Sequence, residues 1–110
     1  MNMPKTISIN LPHNLPQPEV RTRIDSALAE ARRLYPAYAG NLQETWTGDR
    51  LDFSLSAMGQ AVTGRIDALP GLLKVEIDLP LFLAMLADTI RARVEKEGRK
   101  LLSGPKGGER

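Results

Sequence analysis

The chain has 110 residues, enough for one domain, because a division would leave neither half a workable core. Hydrophobic residues at 42% against 25% charged exclude intrinsic disorder, and the absence of cysteine excludes disulfides, thiolate nucleophiles and thiolate metal sites. A formal charge of +2 and only two Phe, two Tyr and one Trp argue against a nucleic-acid surface, which needs basic charge interleaved with stacking rings.

Residues 5–11 alternate, with Ile7, Ile9 and Leu11 on one side, which predicts a half-buried strand. Pro12, Pro16 and Pro18 interrupt it and keep 12–18 irregular. From Glu19 the period becomes helical, because Val20, Ile24, Ala27, Leu28, Ala31 and Leu34 share a face; Pro36 and Gly40 end that helix in a loop. Four strands follow. The first runs from Leu42 to Trp46 and breaks at Thr47-Gly48-Asp49. Arg50 to Met58 sets Leu51, Phe53, Leu55 and Ala57 against Asp52, Ser54 and Ser56. After a turn at Met58-Gly59-Gln60, the next strand runs to Ala68 with Val62, Gly64 and Ile66 on one side, and Pro70-Gly71 turns the chain again. Leu73, Val75, Ile77 and Leu79 then alternate with Lys74, Glu76 and Asp78. Short turns between alternating strands require antiparallel neighbours, and the polar half of each strand leaves one sheet face wet.

The last element reads as one helix from about Leu81 to Leu102, entered by Pro80, with Phe82, Leu83, Leu86, Ala87, Ile90, Val94 and Leu101 as its stripe. Gly98 costs such a helix about 1 kcal/mol against alanine and predicts fraying there. The expected fold is α+β in the order β-α-β-β-β-β-α, a curved antiparallel sheet packed on two helices over residues 5–102, with 103–110 a disordered tail. Its core should be Ile7, Ile9, Ile24, Leu28, Leu51, Phe53, Ile66, Val75, Ile77, Leu86 and Ile90. Leu79 to Ala87, the longest apolar run, is far below the ~20 residues that span a bilayer. Residues 1–15 carry no apolar signal region, so a cytoplasmic protein is expected.

No pattern of catalytic residues emerges. His13 is the only histidine and stands in a Pro-His-Asn-Leu turn, where a hydrogen-bonding side chain fastens strand to helix; a zinc site would need carboxylates converging on it. Asp52, Asp67, Glu76 and Asp78 fall on the polar faces of their strands beside Arg50, Arg65 and Lys74, where solvated ion pairs form rather than buried acid–base pairs. Asp49, the remaining carboxylate of that region, sits in a turn. Neither a Gly-x-Ser-x-Gly elbow nor a phosphate-binding glycine loop occurs. The chain is therefore expected to be no enzyme and to hold no metal or cofactor. From Arg91 to Lys100 five basic residues face two acidic ones, which complements a helix C-terminus and also suits an anionic surface.

The apolar excess is more informative. Leu81, Phe82, Leu83 and Met85 exceed what one core-facing stripe buries, and Trp46, Tyr35 and Tyr38 are amphipathic rings suited to interfaces. Either the core stripe is wide, or the helix is wedged between the sheet and a second protomer or apolar ligand. Leu81, Phe82, Met85 and Trp46 are the candidate interface, and a homodimer is one expected outcome.

Pro12-His13-x-Leu15, the arginines Arg21, Arg23 and Arg32, the run Trp46-x-Gly48-Asp49-x-Leu51-x-Phe53, Gly64-x-Ile66 and Leu79-Pro80 together resemble the polyhydroxyalkanoic acid system family of small bacterial proteins. The similarity spans roughly residues 6–102, and the 16–18 stretch and the tail after Leu102 differ from shorter members. The resemblance implies association with polyester storage granules, or with a granule-associated protein, and carries over no catalytic residue. It also implies a reduced helix-grip architecture. The function expected is an accessory module docking to an apolar surface, granule or partner; the alternative is a small helix-grip carrier of an apolar acyl-type ligand.

Overall fold

The structure is a computed structural model that describes residues 5–39, 41–57 and 59–103; apart from Ser103, the tail expected at the C-terminus lies outside them. Strand β1 (Lys5–Pro12) leads into helix α1 (Gln17–Leu34) and the single turn α2 (Pro36–Ala39). Four strands follow: β2 (Gln43–Thr47), β3 (Arg50–Ala57), β4 (Gln60–Leu69) and β5 (Leu72–Leu79). A short helix α3 (Leu81–Ala84) and the longer α4 (Ala87–Leu102) complete the described chain. This is an α+β fold with one five-stranded antiparallel sheet in the order β1-β5-β4-β3-β2.

Register follows from the turns. Pro70 fixes φ near the value the first central turn position needs, and Gly71 takes φ +74° at the second, so Leu69 pairs with Leu72 across a two-residue loop. Gly48 takes φ +60° at the first central position of another two-residue loop, across which Thr47 pairs with Arg50. With both hairpins locked, Ile9, Val75, Ile66, Leu51 and Trp46 form one row across all five strands on the inner face. The next row, Asn10, Lys74, Asp67, Arg50 and Thr47, points outward. A one-residue slip would exchange these rows.

The core lies between the inner face and the helices. Ile7, Leu51, Leu79 and Val20 are fully buried, each contributing about 1.5–3 kcal/mol relative to exposure. Ile9, Ile24, Val75 and Ile77 are buried as the sequence predicts, and Leu28, Phe53, Ile66 and Ile90 are partly buried against them. Outside, Arg65 bridges Glu76 and Asp78 at 3.1 Å each, and Arg50 pairs with Asp67 at 2.8 Å. The hydroxyls of Thr6 (2.6 Å) and Thr63 (3.1 Å) donate to Asp78. The Thr6 hydroxyl first, then Arg65, holds the Asp78 carboxyl below its ordinary value.

Four expectations change. The first helix begins at Gln17, not Glu19, because Pro16 in extended backbone opens it and Pro18 fits the first turn, which has no N–H to lose. Pro36 starts another turn of helix rather than a loop. The last helix is two: at Leu86 the backbone leaves the helical region (φ −100°, ψ 13°) and its N–H bonds back three residues to Leu83. Leu83 packs on the core and Ala87 is buried, whereas Leu86, predicted to be core, is 50% exposed. A continuous helix would keep Leu83, Leu86 and Ala87 on one face; with the break, Leu83 and Ala87 stay against the core while Leu86 turns outward. Finally, α4 runs through Gly98 to Leu102 without fraying. Gly98 lies directly on Leu11, where a Cβ would collide with the Leu11 side chain, so the missing methyl lets α4 settle onto β1.

Candidate functional site

Two helices about 10 Å wide could cover five strands spaced about 4.8 Å apart only by touching along their whole length. They do not. Helix α4 is anchored over the β1 edge, through Gly98 on Leu11 and an Arg91 hydrogen bond to the Ser8 carbonyl (2.6 Å). Helix α1 is drawn to the opposite edge. Arg32 binds Glu44 (2.9 Å) and the Leu42 carbonyl (2.8 Å), and the Trp46 indole donates to Asp25 (3.0 Å). The two helices are tied where Arg23 of α1 donates to the carbonyls of Leu101 (2.9 Å) and Ser103 (2.6 Å).

The consequence is an open apolar groove of about 570 Å³ over the middle of the sheet. Phe53, Ile66, Leu73, Val75 and Ile77 form its floor; Ile24, Ala27 and Leu28 of α1 and Val94, Gly98 and Leu101 of α4 form its walls. Phe53 occupies its place because its cross-strand partner is Gly64, over which the ring lies. Charge is confined to the rim: Arg23, Arg93, Glu97 and Lys100. Arg23 is engaged by Glu19 at 2.9 Å, while Glu97 is shared at longer range by Arg93 (3.6 Å) and Lys100 (3.8 Å). The volume is within the range of small-molecule sites, roughly 300–1,000 Å³. The floor and walls offer an alkyl or other apolar body dispersion contacts.

The groove was not legible residue by residue. Phe53, Ile66, Val75 and Ile77 read as core, and each touches the core on one side and the groove on the other. The charged end of α4 was the available signal for its rim.

The candidate interface divides. Leu81 is 53% and Met85 89% exposed, and Leu86, which the sequence assigned to the core, joins them on the surface beside the half-buried Phe82. Trp46 is not with them. It belongs to β2, three strands from β5, and its ring lies beneath the Arg21 guanidinium (4.1 Å) and against α1. Tyr35 is exposed after α1, and the Tyr38 side chain lies outside what is described. His13 donates its backbone N–H to the Gly71 carbonyl (3.0 Å) and accepts the Leu15 N–H at Nδ1 (3.1 Å). It joins the end of β1 to the β4–β5 turn.

Asp52 lines a smaller depression of about 300 Å³ on the outer face with Gln43, Thr45, Thr63 and Arg65. Asp49 accepts a hydrogen bond from Gln17 (3.0 Å), and Asp67, Glu76 and Asp78 pair as described. Among the described residues no cluster of three or more His, Asp or Glu is placed to hold a metal ion. No described helix is long and apolar enough to cross a membrane, which says nothing of a β-barrel.

These features define a class: a two-layer α+β protein whose helices part over an apolar groove. Residues 7–102 match the model of the family described as "Putative polyhydroxyalkanoic acid system protein". The chain belongs to that family. A search of curated proteins finds no match.

Proposed function

We propose that the protein is a non-enzymatic accessory module of polyester storage that docks on the apolar surface of a polyhydroxyalkanoate granule. The observation that carries this reading is the cluster of Leu81, Met85 and Leu86, three large apolar side chains half or more exposed at one turn. They protrude because the chain breaks between α3 and α4, which leaves them free to enter a partner without disturbing the core. Transferring each out of water is worth about 1.5–3 kcal/mol. The family supplies the occupant, since its description names the polymer system. Such a module works in the cytoplasm, where the polymer is stored.

The test is co-sedimentation of the purified chain with isolated polyhydroxyalkanoate granules. Wild type should pellet, and Leu81→Glu/Met85→Glu should stay in the supernatant with an unchanged circular dichroism melt. A wild type that stays in solution, or a double variant that pellets equally, overturns the reading. A homodimer using the same turn would appear as a wild-type dimer in sedimentation velocity that ignores granules.

The groove supports a second reading, that of a reduced helix-grip carrier of an acyl-type ligand. Strand β1 paired beside β5, the last strand, with helices over one face of the sheet, supports that reading. An apolar floor and walls suit an alkyl chain.

A further inference from the structure

We infer that the groove takes one alkyl chain ending in a carboxylate, with the chain along Phe53, Ile66, Val75 and Val94 and the head on the α4 rim at Arg93 and Lys100. The inference rests on the carrier reading and names its ligand class and polarity.

Two observations carry it. The floor is apolar throughout, so a ligand body with buried hydroxyls or amides would lose its water partners and gain none. An unbranched alkyl chain loses nothing on entry. The second observation is the charge left at the rim. Four charged groups line the groove: Arg23, Arg93, Glu97 and Lys100. Arg23 is matched by Glu19 and held by two carbonyls. Arg93 and Lys100 then face a single carboxylate, Glu97, which each meets at more than 3.5 Å. Two positive charges against one negative leave one positive charge beside the groove mouth, complementary to a monoanion. Both cations are about two-thirds exposed (70% for Arg93, 67% for Lys100), so their long side chains can swing to a ligand head without unfolding anything.

The geometry also sets an order. Arg23 stands on the groove rim and ties α1 to the C-terminal end of α4 through the Leu101 and Ser103 carbonyls. Arg93 stands about 12 Å back along the helix from Leu101, at 1.5 Å rise per residue. A chain entering between the helices therefore has its tail over the sheet and its head at the rim, between Arg93 and Lys100.

Isothermal titration calorimetry of the full chain with hexanoate, octanoate, decanoate and methyl decanoate, all kept below micelle formation, tests this. Carboxylates should bind one to one and tighten about fourfold per methylene, the equivalent of about 0.8 kcal/mol, until the groove is full. Methyl decanoate should bind several-fold more weakly than decanoate. Arg93→Gln/Lys100→Gln, changes at exposed positions, should weaken decanoate about three- to tenfold and leave the methyl ester unaffected, in keeping with the modest worth of exposed charges. Ala27→Glu, which puts a carboxylate on the exposed groove wall, should abolish decanoate binding while the protein stays folded. Equal affinity for decanoate and its methyl ester sinks the anionic-head inference and leaves the carrier reading standing. Undiminished decanoate binding by the Arg93/Lys100 double variant places the head elsewhere and overturns the inference. Failure of every probe to bind removes both.

Discussion

Gly64 is where a favourable substitution on paper should fail. Replacing glycine by alanine in a strand removes unfolded-state freedom, and at a compatible site it stabilises by about 0.4–1 kcal/mol. Here a Cβ at position 64 would overlap the edge of the Phe53 ring and also the Glu76 backbone carbonyl of the neighbouring strand. The ring can tilt into the groove, because Phe53 is only partly buried and lines that space. The carbonyl cannot move without β5, which lies between β1 and β4. Overpacking of this kind costs about 1–3 kcal/mol. Set against the entropic gain, Gly64→Ala should destabilise by about 1–2 kcal/mol, lowering the melting temperature by roughly 5–15 °C for a domain of this size. Thermal and urea unfolding followed by circular dichroism measure it. Repeating the substitution in a Phe53→Leu background separates the two collisions. Its cost should shrink by at least about 0.5 kcal/mol there, since contacting residues couple, yet stay above zero because the carbonyl remains. A Gly64→Ala protein as stable as wild type, or an identical cost in both backgrounds, would refute the packing argument.

Leu86→Gln tests the break between α3 and α4: at an exposed position it should change stability by less than about 0.5 kcal/mol, whereas loss of a core leucine costs 2–5. A severe loss of melting temperature would restore the continuous helix. Asp78 tests the outer face. Its folded carboxyl lies below the ordinary value of 3.8, so its contribution is present above that pH and is lost as the pH falls below it. Asp78→Asn should therefore destabilise at neutral pH and flatten the acid limb of the stability curve; parallel acid titrations of the two proteins would contradict this.

The strand half of the fold is written locally. Alternation has a period of two, so Ile7, Ile9, Leu51, Val75 and Ile77 declare their side of the sheet without reference to any neighbour. The turns around Gly48 and Gly71 then fix which strands pair and in what register. The pairing of β1 with β5 joins residues sixty or more positions apart, and no local pattern states it.

The helices are different, because a helical stripe says that a residue faces a layer but not how far the layer extends beneath it. Ala27, Leu28 and Leu34 belong to one stripe with Val20 and Ile24, yet only Val20 and Ile24 are buried, since α1 leaves α4 and heads for β2. Leu81 to Ala87 has neither proline nor glycine to signal a break, yet the helix is interrupted at Leu86, which leaves the stripe it would share with Leu83 and Ala87. Gly98 reads as a weak point in a helix and proves a contact point, since only the facing Leu11 gives the absent methyl a purpose. Composition and periodicity thus determined which residues are apolar on which face. The groove, and the exposure of Leu81, Met85 and Leu86, arose from where two helices are pinned on a five-stranded sheet, a balance of contacts distant in sequence.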